Sequence, residues 1–114
     1  MATQKAARYL PPVSDFLDVL GASGARYRFR RVRLTELPVT AGNVVVFGAN
    51  GRRALVCATA RSLARAADPL REALGARRGA RLYVRLNVSR AVREAEHADI
   101  AAALEPQSVL PEIE

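Results

Sequence analysis

Eleven arginines are the residues of this chain best suited to chemistry, and the chemistry they suit is holding phosphate: Arg26, Arg28, Arg30, Arg31, Arg33, Arg52, Arg53, Arg77, Arg78, Arg81 and Arg85. The guanidinium is a planar fork of donors that stays charged and matches phosphate oxygens two at a time. Of the 18 cations, 17 are Arg and only Lys5 is Lys. A GC-biased genome accounts equally well for that preference, but not for the net charge. All 18 cations and five of the 11 carboxylates lie in residues 1–93, which carry +13, whereas residues 94–114 carry −6. A body this basic points to an anionic partner, either the phosphate backbone of a nucleic acid or an acidic protein.

Other chemistry is sparse. The chain has one His and one Cys, so no set of ligands stands at metal-binding spacing, and neither a metal nor a cofactor is expected. His97 reads as a surface residue. Cys57 sits inside an apolar strand, where a cysteine behaves as a small hydrophobe. Gly48, Gly51 and Gly75 form neither a dinucleotide fingerprint nor a phosphate loop. Glu96 is the one carboxylate set among apolar residues, because Val92, Glu96, Ile100 and Leu104 recur every four residues on one helical stripe. Such a group lies at the edge of the stripe, salt-bridged to an arginine, or belongs to a site.

The elements that position these residues centre on a hairpin. Val44-Val45-Val46-Phe47 and the run 54–58 are short apolar segments separated by Asn50-Gly51, a tight-turn signal in which both central residues are expected at positive φ. Strands are expected at about 43–48, 53–59 and 81–88, and helices at 61–75 and 90–104. Ser89 caps the second helix, and Asp68-Pro69 interrupts and restarts the first. In the third strand Leu82, Val84, Leu86 and Val88 are expected inward, with Arg81, Tyr83, Arg85 and Asn87 outward, where Tyr83 either covers a helix or a sheet edge or stacks on a base. Upstream, Val13, Phe16, Leu17 and Leu20 have helical spacing, and Gly21 reads as the C-cap of a short helix. Segment 26–34 alternates as a strand until its parity flips. A bulge at Arg30-Arg31 would return its apolar side chains to one face and place five Arg on the other. Residues 1–12 read as a loose arm, 13–36 as helix plus basic strand, 37–106 as the domain proper and 107–114 as an acidic tail. The tail is expected to fold over the basic face and compete with phosphate.

The central stretch resembles GIY-YIG nuclease domains. The resemblance rests on Leu37-Pro38, Gly42, Asn50-Gly51-Arg52, Leu55 and Ala60-Arg61-Ser62-Leu63, with Glu96, Ile100 and the Leu104 to Pro106 ending downstream. It implies an α+β fold: a small antiparallel sheet with a three-stranded core plus the basic strand, covered by helices. It also implies lost chemistry. The family's two motif tyrosines fall at Val44 and Val56 and its helix arginine at Ala66, one place from Arg65, so only the metal-binding glutamate has a counterpart, Glu96. Two valines cannot move a proton.

Three functions follow as alternatives. The first is a catalytically inactive module that binds nucleic acid through the eleven arginines. The second is a protein-interaction or regulatory module. The third is a divergent metal-dependent nuclease using Glu96, Arg65 and another tyrosine, Tyr83, Tyr27 or Tyr9. No apolar run approaches the roughly 18 residues of a membrane span. Lys5 and Arg8 have no apolar run behind them, so no secretory signal is read, and a cytoplasmic location is expected.

Overall fold

A computed structural model describes residues 15–114. The expected arm at 1–12, and Val13, lie outside the described residues. The architecture is α+β: among the described residues six strands form one mostly antiparallel sheet, and a helix packs on each face. The elements in chain order are β1 (Phe16–Leu20), β2 (Arg26–Val32), β3 (Gly42–Phe47), β4 (Ala54–Ala60), α1 (Ala67–Leu74), β5 (Arg81–Leu86), α2 (Arg90–Leu104) and β6 (Ser108–Val109). The sheet order is β1-β2-β5-β3-β4-β6, and only the β4–β6 pair is parallel.

The hairpin signal builds the centre. β-branched residues favour the pleated conformation, and here every residue of β3 and β4 is buried because both faces are covered. On one face Val44, Val46, Val56, Ala58 and Val84 pack under Leu63, Ala66 and Leu70 of α1 and the short 3-10 turn Leu63–Ala66 before it. On the other, Val45, Phe47, Cys57, Phe29 and Tyr83 pack under Ile100 of α2. Only Gly51 of the turn takes positive φ, at 73°, so the expected pair of positive-φ residues is not formed. Gly51 N–H donates to Gly48 O, and the Asn50 side chain instead accepts from Arg52 N–H.

Several expectations are corrected. Residues 16–20 form a strand, not a helix, because they pair in unbroken register with β2 from Phe16–Arg30 to Leu20–Arg26. Gly21 therefore caps no helix. It lies in the β1–β2 turn, where a Cβ would run into the Asp99 carboxylate. β2 carries no bulge, since Arg30, Arg31 and Val32 pair in step with Val84, Tyr83 and Leu82. The parity flip instead sends Tyr27 and Phe29 to the α2 face and Val32 to the α1 face, each into its own core.

Tyr83 is buried rather than outward. Its ring meets Phe47 edge to face at 6.0 Å, because α2 covers that side. Leu86 and Val88, expected inward, are exposed. Asp68-Pro69 does not restart a helix. Both residues sit in the first turn of α1, where the N–H that Pro69 lacks has no intrahelical acceptor. Gly75 closes α1 at φ 60° and Ser89 caps α2 by accepting from Val92 N–H, both as expected.

The acidic tail is neither loose nor laid over free arginines. β6 extends the sheet beyond β4, Leu110 N–H donates to Cys57 O, and Ile113 N–H donates to Thr59 O. Leu110 and Ile113 pack on the α1-side core.

Candidate functional site

The sheet has two chemically different ends. Phe47 pairs with both Arg81 and Ala54, so the end of β3, the β3–β4 turn and the α1–β5 loop meet at one of them. Val32 pairs with Leu82, which brings the exit of β2 to the same place. Arg31, Arg33, Arg52, Arg53, Arg77, Arg78 and Arg81 gather here. Of these seven only Arg33 has a carboxylate partner among the described residues, Glu36 at 3.9 Å, and both side chains are exposed. Arg77 Nη2 donates to the neutral Gln107 at 2.6 Å. Turns and loops form this end because Gly51 and Gly79, at φ 73° each, allow the chain to fold back tightly.

At the other end Arg85, Arg90 and Arg93 are paired, whereas the exposed Arg26 and Arg61 have no carboxylate partner among the described residues. Arg85 Nε donates to Glu96 Oε1 at 2.8 Å, and its guanidinium carbon lies 5.5 Å from the Tyr27 ring centroid. Asn87 Nδ2 donates to the same Glu96 oxygen and to Asn43 Oδ1, and buried Asn43 donates to Arg93 O. Arg93 and Glu112 are both buried, 2.7 Å apart, and Arg93 Nη1 also donates to Val88 O. Arg90 lies 2.9 Å from Glu94 and 2.9 Å from the second oxygen of Glu112. Burial pushes the Glu112 carboxyl up, but the Arg93 hydrogen bond, the charges of Arg93 and Arg90 and the Thr59 hydroxyl hold it below the usual range. Sequence reasoning misses this network. One signal for it exists: Arg93 shares the stripe of His97, Ile100 and Leu104 at spacings of four, three and four.

Sequence reasoning misses a third cluster too. Tyr27 Oη and Ser23 Oγ both donate to Asp99, at 2.7 and 2.6 Å, and Ser23 N–H donates to its other oxygen. The bonds from Ser23 and then Tyr27 pull the Asp99 carboxyl down. They tie the β1–β2 turn to α2.

The expected phosphate strip therefore divides. Arg26, Arg28 and Arg30 lie on the α1 side of β2, and Arg31 lies on the α2 side because strand side chains alternate. Arg85 is already paired. The positions aligned with family catalytic residues do not converge. Val44, Val56 and Ala66 are buried in the α1-side core, Arg65 is exposed, and Glu96 is bonded on the α2 side. Burial pushes the Cys57 thiol up to about 12, which leaves no thiolate nucleophile at neutral pH. Burial also pushes the half-buried His97 imidazole down, and His97 is not the surface residue expected. Among the described residues no three His, Cys, Asp or Glu side chains are grouped to hold a metal ion, and no helix is long and apolar enough to cross a membrane. No family model, curated protein or solved structure matches the chain.

Proposed function

We propose that this protein is a nucleic-acid-binding module whose core is GIY-YIG-like without the family's catalytic residues, and that it grips phosphate through the unpaired end of its sheet. The observation that carries the reading is the gathering of Arg31, Arg33, Arg52, Arg53, Arg77, Arg78 and Arg81 with one weak carboxylate contact among them. Like charges repel in the free protein, and a polyanion that neutralises them releases its own counterions. The hairpin, α1, β5 and α2 follow one another in the order the resemblance implies. Valine, valine and alanine at the catalytic positions, and a glutamate already bonded to Arg85, favour binding without cleavage.

The test is affinity for labelled DNA and RNA against salt. About six phosphate contacts lower affinity by roughly a thousandfold between 50 and 200 mM salt. A flat salt profile, or binding only to an acidic protein, overturns the reading. Cleavage that requires Mg²⁺ or Mn²⁺ and is lost in Glu96→Gln moves it to the nuclease alternative.

A further inference from the structure

The α1 side of the sheet is covered only in part. The helix and its preceding turn lie over β3 and β4, whereas among the described residues nothing packs over β1, the start of β2 and the far end of β5. Phe16, Leu20 and Leu86 are 54%, 53% and 55% exposed there. They stand on the same side as Arg26, Arg28 and Arg30, since Phe16 pairs with Arg30 and Leu20 with Arg26. An exposed aromatic ring among guanidinium groups is chemically specific, because a ring face stacks on a flat apolar group while the cations hold an anion.

The surface is continuous. A depression between Phe16, Arg28, Arg30 and Leu86 adjoins one that shares Phe16 and Arg30 and reaches Arg31 and Glu36. That one adjoins a groove of about 630 Å³ that shares Arg31 and Glu36 and runs past Arg33 to Arg77. The groove has apolar walls from Val32, Leu34 and Leu82 and is within the size range of pockets that hold small organic ligands. The track thus leads from an open aromatic platform to the unpaired arginines. Arg28 sits 5.5 Å from the Phe16 ring centroid, and its bond to Asp18 at 3.4 Å is exposed and weak.

We infer that this track takes single-stranded nucleic acid, with a base on Phe16 and the backbone crossing Arg28, Arg30, Arg33 and Arg77. The inference rests on the phosphate-binding reading and narrows it. A duplex keeps its bases stacked inside and cannot offer a base face to Phe16, whereas a single strand can. Asp15 and Glu36, which also line the track, repel phosphate. Those carboxylates accept hydrogen bonds from base amino groups, so bases pass them while phosphates pass the arginines.

The experiment compares the full chain with Phe16→Ala and Phe16→Trp, using labelled single strands of about 15 nucleotides and the matching duplex. The chain contains no tryptophan, so Phe16→Trp is the sole indole reporter. The single strand is expected to bind about tenfold or more tighter than the duplex. Phe16→Ala is expected to weaken single-strand binding by roughly five- to hundredfold and leave the duplex unchanged, as loss of one base stack does. The indole of Phe16→Trp is expected to be quenched by the single strand alone, a readout that survives if the alanine variant folds poorly. Equal affinity for duplex, an unquenched indole, or displacement of the strand by an equally charged polyglutamate overturns the inference. Salt-sensitive duplex binding with silent Phe16 variants removes this inference alone; no binding at low salt removes the phosphate reading with it.

Discussion

The same side chain does opposite work at the two ends of the sheet. Arg93 is buried against buried Glu112, and its charge is matched within 2.7 Å. Arg52, Arg53, Arg77 and Arg78 are exposed and have no carboxylate partner among the described residues. A buried charge must be paired because desolvation costs several kcal/mol per ion, whereas an exposed one keeps its water. Exposed ion pairs add only about 0–1 kcal/mol, so leaving these arginines unpaired costs the fold little. The difference teaches that +13 over residues 1–93 is a poor measure of available charge. Arg85, Arg90 and Arg93 hold the fold together, and the unpaired end is what a polyanion meets.

The largest effect expected from that contrast is on binding. Reversing Arg52, Arg53, Arg77 and Arg78 to Glu removes nucleic-acid affinity, a loss of roughly a hundredfold or more given the salt-dependent value of each phosphate contact. Arg90→Ala, at the paired end, leaves it within about twofold. Equilibrium titration in one buffer checks both, and equal losses would erase the distinction between the ends.

The second effect is on stability, with the ends exchanging roles. Arg93→Ala removes the hydrogen-bonding partner of the Glu112 side chain, which is 7% exposed, and leaves it the exposed Arg90; the change is expected to cost up to about 3–5 kcal/mol, a large share of the roughly 5–15 kcal/mol of a domain. Arg93→Ala with Glu112→Leu recovers part of that loss. Urea denaturation measures both, while affinity per folded molecule stays unchanged. A cost under about 1 kcal/mol would mean that water reaches the pair.

What the sequence makes legible is local. Val44 to Phe47, the Gly51 turn and the Ser89 cap each act over a few residues, so the hairpin and α2 can be read from it. β1 reads wrongly because Phe16, Leu17, Val19 and Leu20 fit both a helical stripe and a strand, and the pairing with β2 that decides between them is not local. The parity flip in β2 reads as a bulge only on the assumption of a single core. With a helix on each face, an apolar residue of either parity finds burial. Glu112 looks like any tail carboxylate, because its partner Arg93 is 19 residues away. The eleven arginines are visible as cations, but which of them are already paired depends on contacts across the fold.

The smallest effect separates the Asp99 clamp from both ends. Asp99 is held below its ordinary range by Ser23 and then Tyr27, so the unfolded chain binds its proton more readily than the folded one. The stability this contributes is present above the ordinary carboxylate pKa and is lost as pH falls through the depressed folded value. Glu112 titrates in the same direction, so acidification loosens the paired end as well. Asp99→Asn should therefore lower stability at neutral pH and shallow the acid limb by less than one proton per molecule, the Glu112 share remaining. Urea midpoints taken from neutral pH to about pH 3 measure this slope. An acid limb unchanged by Asp99→Asn but abolished by Glu112→Gln would assign the whole dependence to the paired end. The turn clamp would then hold the β1–β2 hairpin on α2 through the hydrogen bonds of Ser23 and Tyr27 without contributing to the pH response, because the amide oxygen introduced by Asp99→Asn can accept those bonds in place of the carboxylate.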